Sequence, residues 1–325
     1  MSSQVPYPGM IQTSHSVEVR TKGRWVTIPG IVVDRDILIT TGKRLKIARI
    51  RGEEMREREI EDPERYIAAL KNDSELLKAD IFTFTQQLLV TQPKYSYPTE
   101  WESVAAIPLV SFKEWWEALP QETRKNVRRS QKRGVTIAVR ELDEAVVEGI
   151  RAINDDSPVR QGLKNAYYGL TNEETWKRYG EFNGRCNFIC AYSGEEMIGF
   201  LHLVYRDDAA AILNLTVKSS QSDKRPANAL MARAVEICEQ RGLSHLSYGL
   251  YNYGNKRDTS LREFKIRNGF QNTLIPRYFV PITAWGRICM TANLHRGLIG
   301  ILPHPVISAG VRARTWLFKK FHKPV

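Results

Sequence analysis

Short stretches of alternating apolar and polar residues open the chain. Residues 16–48 form three such runs separated by glycine and aspartate, a pattern typical of strands. A charged stretch with helical spacing follows, and residues 79–89 then alternate again, with Phe82 and Phe84 on one face. We therefore predict a small N-terminal α+β domain over residues 1–110.

The pattern becomes more regular in the middle of the chain. Residues 111–134 have helical spacing and end at Gly134, and glycine commonly terminates a helix. Strands and helices are then predicted in the order β-α-α-β-β-β-α-β-α-β. Antiparallel hairpins followed by a strand–helix–strand crossover give a mixed, mostly antiparallel sheet with helices on both faces. We assign this α/β (α+β) domain to residues 111–282, and a basic, amphipathic helical tail to residues 283–325.

The composition excludes several classes of protein. The 325 residues are 42% hydrophobic and 26% charged, which is too apolar for intrinsic disorder. No run approaches the roughly 18 consecutive apolar residues of a membrane span, and the N-terminus does not resemble a secretory signal. The four cysteines have neither zinc-site nor disulfide-scaffold spacing. We expect a soluble, cytoplasmic protein without a metal.

The net charge of +12 is concentrated near the C-terminus. Glu263 is the last acidic residue, and ten basic residues follow it. A second basic concentration lies within residues 124–133. Cationic surfaces of this kind attract nucleic acid, anionic lipid or a polyphosphate cofactor. The tail therefore has three open interpretations: peripheral contact with an anionic membrane, contact with RNA, or simple packing on the N-terminal domain.

Two cations stand where a helix is predicted to begin. Lys224 and Arg225 precede Pro226, which suits the first helical position. The helix dipole disfavours cations there by roughly 0.3–1 kcal/mol each, whereas a bound anion, held by free backbone N–H groups, would favour them. We predict a phosphate-binding turn that also includes Ala227 and Asn228. An exposed basic loop is the alternative.

The strand before this turn has a polar row. Strand alternation places Asn214 and Thr216 on one face together with Ile212, and Leu213 on the other. Such a row suits the wall of a cleft, where both polar side chains would hydrogen-bond a substrate amide. Exposure at a sheet edge explains the pattern equally well.

The loop between the two helices that follow the first predicted strand of this domain is a candidate ligand-binding site. Arg160 and Gln161 have the side chains to bind a carboxylate, and Tyr168 to stack or hydrogen-bond. An ordinary ordered turn is the alternative. For a general base we consider His202, Tyr248 and Tyr251, each of which has a core-packing alternative. No nucleophile motif is present.

The order of elements over residues 135–282 resembles the GNAT acyltransferase fold. The segment Leu261–Phe270, with its Phe264-Lys265 pair, is similar to the corresponding ending in the FemAB-like branch of that superfamily. The basic run that ends at Gly134 is similar to a helix of the same branch. Together the likeness covers residues 111–282.

The resemblance implies an N-acyltransferase that moves an acyl group directly from an activated donor to an amine. The default donor is acyl-CoA, whose pyrophosphate binds the turn before Pro226. Since the usual glycine-rich loop is replaced by residues 222–228, aminoacyl-tRNA is the alternative donor. Lys265 takes the position at which many GNAT enzymes carry a tyrosine general acid. A non-enzymatic protein that binds nucleic acid or a membrane surface on a GNAT scaffold is the other open interpretation.

Overall fold

A computed structural model describes most of the chain. The described residues are 12–21, 24–56, 58–73, 75–88, 90–160, 163–252 and 259–297. The described residues divide into two compact units, those within 12–103 and 274–297 and those within 104–273. The first unit is thus built from segments that are far apart in sequence.

The described residues form the following elements. The strands are β1 (Gln12–Thr21), β2 (Arg24–Val33), β3 (Asp36–Thr41), β4 (Ile47–Ile50), β5 (Ile81–Thr85), β6 (Thr99–Pro108), β7 (Val135–Arg140), β8 (Val159–Arg160), β9 (Leu163–Lys164), β10 (Cys186–Ser193), β11 (Glu196–Arg206), β12 (Ala209–Val217), β13 (His245–Leu250) and β14 (Gln271–Pro281). The helices are α1 (Pro63–Asn72), α2 (Phe112–Ala118), α3 (Gln121–Lys132), α4 (Glu144–Asn154), α5 (Asn172–Tyr179), α6 (Pro226–Gln240), α7 (Ser260–Arg267) and α8 (Ala284–Thr291). Within this part of the chain, no helix combines the length and apolarity needed to cross a bilayer.

The first unit is a sheet with the strand order β1-β2-β3-β4-β5-β14. Its neighbours pair antiparallel except for β4 and β5, which are parallel. Phe82 and Phe84 are fully buried and their rings stack 5.2 Å apart, which confirms the predicted shared face. Of the predicted tail, residues 283–297 are described and include α8, while residues 298–325 lie outside the described part.

The second unit has the strand order β6-β13-β12-β11-β10-β7. Helices α3 and α6 pack on one face, where their apolar side chains share a core with Leu201, Leu203 and Ile212. Helices α4 and α5 cover the other face, where Tyr179 packs against Phe188. The predicted mixed sheet with helices on both faces is confirmed, and the short hairpin β8–β9 adds one feature that the sequence pattern did not show.

The helix predicted over residues 111–134 is two helices rather than one. Helix α2 ends at Ala118, and α3 begins after Pro120, whose φ of −52° and ψ of 141° are extended. Proline lacks a backbone N–H and disfavours helical backbone in the residue before it, so the helix breaks there. The predicted end is confirmed, because Gly134 has a φ of +75°.

An irregularity in β12 changes which side chains share a face. His202 of β11 pairs with Asn214, whereas Leu203 pairs with Ile212, so Leu213 is an extra residue in the ladder. Residues paired across strands share a face, so this β-bulge turns Asn214 toward α4 and α5 and Ile212 toward α6. The prediction that Ile212 shares a face with Asn214 is therefore wrong, since uninterrupted alternation fails at a bulge.

Candidate active site

The sheet of the second unit opens between two neighbouring strands. Parallel strands β12 and β13 pair only over Ala209–Ala211 and His245–Ser247, although β12 continues to Val217. The ladder between β13 and β6 also shifts register after Ser247, where Gly249 has a φ of +54°. Residues 213–217 of β12 are only half-buried, in contrast to the buried residues 209–212. We call this opening the β12/β13 gap; along it, residues 213–217 of β12 form no ladder with β13.

Lys265 contacts the end of β13, one of the two strands that border the β12/β13 gap. It lies on α7, is fully buried, and donates a hydrogen bond from Nζ to the carbonyl oxygen of Leu250 at the end of β13, at 2.7 Å. Its ammonium group also lies 4.7 Å from the centre of the Tyr248 ring. Burial lowers the pKa of Lys265 to about 8. The structure thus brings two of the predicted catalytic residues into contact at the gap.

Tyr251 follows β13 and has a different neighbour. The guanidinium of Arg262, one turn before Lys265 on α7, lies 5.2 Å from the centre of its ring. Arg262 Nε also donates to Oδ1 of Asn252 at 3.0 Å. These contacts hold the end of β13 against α7.

His202 lies among aromatic side chains on the α4 and α5 side of the sheet. It is 1% exposed, and its ring stacks on that of Phe188 at 4.4 Å and 12°. Burial, with a smaller contribution from Arg178, lowers the pKa of His202 to about 4. The imidazole is therefore neutral at pH 7 and packed as a core residue.

The turn before α6 has the geometry of an anion site. Lys224 is half-buried and donates from Nζ to Oγ of Ser193 at 2.7 Å. Arg225 is exposed and has a φ of 59°, a left-handed conformation that residues other than glycine rarely adopt. No side chain caps the N-terminus of α6, and its first turn, with half-buried Ala227 and Asn228, contains no acidic residue. Backbone N–H groups and two cations thus meet there.

Acidic residues occupy the preceding stretch but not the α6 terminus itself. Asp156 accepts from the backbone N–H of Ser219 at 2.6 Å and from Oγ of Ser220 at 2.6 Å. Asp223 accepts from Arg133 of the α3–β7 connection, at 2.9 Å. These contacts tie the loop to α4 and α3 without neutralising Lys224.

Asn214, Thr216 and Arg160 lie on the α4 and α5 side. Asn214 and Thr216 share that face, opposite His202 and Phe200 respectively. The guanidinium of Arg160 donates from Nη2 to the carbonyl oxygen of Ile153 at 2.6 Å. Tyr168 is 47% exposed, and Gln161 lies outside the described residues.

Comparison with known proteins places this geometry in a family. The model of the acetyltransferase (GNAT) domain matches residues 121–257, which include the β12/β13 gap and the turn before α6. Residues 121–257 are therefore a GNAT domain. None of the curated proteins compared with it matches in sequence.

Solved structures agree with the GNAT fold. L-PGS from Bacillus licheniformis aligns with a TM-score of 0.50 and 14% identity, covering 82% of this chain and 86% of that one. FemX aligns with a TM-score of 0.46 and 11% identity, covering 81% of this chain and 87% of that one. At these identities the L-PGS likeness concerns the fold alone, and it extends over both compact units. The predicted GNAT fold is confirmed.

Sequence reasoning missed three residues of this GNAT site. The loop before α6 is held by three contacts with residues far along the chain. Asp156 binds Ser219, Ser193 binds Lys224, and Arg133 binds Asp223. Asp156 lies just before the loop that carries Arg160 and Gln161, but no local pattern indicates that its partner lies at residue 219. Such pairs become visible only when the strands are placed in order.

Proposed function

We propose that the protein transfers an acyl group directly from a phosphate-bearing donor to an amine, with the acyl carbonyl bound in the β12/β13 gap. The observation that carries the proposal is the early end of the β12–β13 ladder. The buried Lys265, which is hydrogen-bonded to the end of β13, supplies an ionisable group at the neighbouring strand. The GNAT family match supports acyl transfer as the reaction class.

The gap supplies what this chemistry needs. Attack of the amine on the carbonyl carbon builds negative charge on the carbonyl oxygen, and backbone N–H groups on the open edge of β12 are fixed donors for it. The bond from the carbonyl carbon to the leaving group then breaks, the leaving group gains a proton, and the amine nitrogen loses one to solvent. Lys265, with a pKa of about 8, is largely protonated at pH 7 yet able to release its proton. We assign Lys265 as the proton donor and Tyr248 as the ring that orients its ammonium.

Acyl-CoA is the donor that we propose first. A pyrophosphate on the α6 N-terminus would be met by Lys224, Arg225 and the free N–H groups of the first helical turn. The left-handed backbone of Arg225 places a strained residue at this point, as is common where a protein holds a ligand.

Aminoacyl-tRNA is the second candidate, because the cationic surface is larger than one pyrophosphate requires. Lys125, Arg128 and Lys132 of α3 are exposed, and α3 packs against α6. Arg133, at the end of α3, forms an ion pair with Asp223 of the loop before α6. A positive surface therefore runs from α3 to the turn before α6, which suits a nucleic acid backbone.

Thermal unfolding with each donor tests both candidates. A donor present at about a hundred times its Kd adds about 2.7 kcal/mol of stability. The double variant Lys224→Glu/Arg225→Glu should lose this effect, while the matched charge reversal Arg35→Glu/Lys113→Glu, at exposed positions elsewhere, should retain it. Stabilisation by acetyl-CoA or longer acyl-CoA supports the first donor, and stabilisation by aminoacyl-tRNA alone supports the second. The proposal fails if neither donor stabilises the protein or if the loop variant binds normally.

A further inference from the structure

The α4 and α5 side of the sheet contains buried polar atoms that no other group in the described part of the chain satisfies. They are Nε of Arg160, Nδ2 of Asn154 and both ring nitrogens of His202. Native proteins pair nearly all of their buried polar atoms, with protein, water or ligand. Several unpaired atoms in one place therefore indicate a bound group.

These atoms surround one side chain, Tyr179 at the end of α5. The side chains of Asn154, Arg160 and Arg178 lie within electrostatic range of its phenol. Its ring centre is 6.1 Å from that of His202. We call the four residues around Tyr179 the acceptor-side cluster: Asn154, Arg160, Arg178 and His202.

Arg160 is a cation without a carboxylate partner. Within the described residues it forms no ion pair, and burial lowers its pKa. Asp156 is the acidic residue that acts on it electrostatically, but this carboxylate is bound to Ser219 and Ser220. Arg160 is half-buried. A charge that is partly withdrawn from water and has no counterion is unfavourable, and a ligand that brings the counterion relieves it.

The other members do not neutralise this charge. Burial lowers the pKa of His202 to about 4 and raises that of Tyr179 to about 12, so both are neutral at pH 7. Arg178 adds a second guanidinium, which lies over the ring of Tyr167 at 5.5 Å. The cluster is therefore net positive and rich in N–H donors, and guanidinium forks match the geometry of a carboxylate.

We infer that the acceptor-side cluster binds a carboxylate of the amine acceptor, with Arg160 as its counterion and Asn154 as a second donor. The acceptor would then be an amino acid or a peptide with a free carboxylate. This inference rests on the proposed function, since it names the acceptor class of the same site.

Binding without a donor tests the inference separately from transfer. The probes are the proteinogenic amino acids and a set of dipeptides, each compared with its C-terminal amide, together with inorganic phosphate, by thermal unfolding and calorimetry. At least one carboxylate form should bind about 30-fold more tightly than its amide, the discrimination expected when a buried ionic hydrogen bond is lost. Arg160→Gln should abolish this preference and Arg160→Lys should restore part of it.

Arg151→Gln is the matched control. Arg151 lies on α4, but its guanidinium is satisfied by Leu170 and Asn172. The control should keep the preference for the carboxylate. The inference is overturned if the carboxylate and the amide bind equally, if neither binds, or if inorganic phosphate binds as tightly as the carboxylate. It is also overturned if a crystal structure with the tightest-binding compound shows Arg160 bound to ordered water alone. If carboxylates bind as expected and no acyl donor does, the proposed function fails while the anion site stands.

Discussion

Replacement of Lys265 by methionine should make the protein more stable and less active. Burial lowers the pKa of Lys265 from 10.5 to about 8. The difference of about 2.5 units corresponds to roughly 3 kcal/mol of preference for the neutral form in the folded protein. Loss of the hydrogen bond to Leu250 offsets about 1 kcal/mol of this gain. Since methionine fills a similar volume, we expect Lys265→Met to raise the free energy of unfolding at pH 7 by about 1–2 kcal/mol.

The pH dependence of the free energy of unfolding tests independently whether Lys265 destabilises the folded protein. Between about pH 8 and the unfolded pKa of 10.5, the unfolded chain binds more protons at Lys265 than the folded protein does. The wild-type free energy of unfolding therefore rises with pH in this window, relative to the variant. The advantage of Lys265→Met should thus shrink as pH rises from 8 to 10.5.

Urea unfolding of wild type and variant across this range, beside acyl transfer at each pH, measures both effects. Lys113→Met, at an exposed position of α2, is the control and should change stability by less than about 0.5 kcal/mol. If Lys265 is the proton donor, wild-type transfer also falls as pH rises through about 8. A variant that is destabilised by more than about 1 kcal/mol, or that retains full activity, would refute the reasoning.

Two further predictions concern ion pairs and loop contacts. Arg277 of the first unit forms ion pairs with both Glu53 and Glu102. Arg277→Ala leaves these two partly buried carboxylates unpaired and should lower the free energy of unfolding in urea by about 3 kcal/mol. Arg277→Lys should recover part of this loss, and a loss below about 1 kcal/mol for Arg277→Ala would contradict a stabilising role of the two ion pairs. Asp156 has a lowered pKa because Ser219 and a neighbouring serine donate to it despite its partial burial. The stability that Asp156 contributes is therefore present above its unfolded pKa and is lost as pH falls through its lower pKa in the folded protein. In Asp156→Asn, the free energy of unfolding should no longer fall with pH for this reason. Hydrogen exchange at the backbone N–H of residue 219 should increase, because that N–H loses its carboxylate acceptor.

Local signals in the sequence were sufficient for the order of the elements from β7 to α7, apart from the short hairpin β8–β9. Alternation, helical spacing and glycine stops are properties of neighbouring residues, so they predicted the sheet with helices on both faces. They also predicted the cationic turn before Pro226, because capping and helix polarity are local effects. The break at Pro120 was readable in the same way, although the apolar periodicity across it favoured a single helix.

Tertiary structure alone decided the chemistry-bearing details. The extra residue Leu213, the early end of the β12–β13 ladder and the burial of Lys265 depend on which strands become neighbours and in what register. The contact of Asp156 with Ser219 joins residues that no local pattern relates. Periodicity records which face of an element is apolar, but it carries no information on the partner that covers that face. Register, desolvation and unpaired charge arise only from that partner, and they are the quantities from which an active site is made.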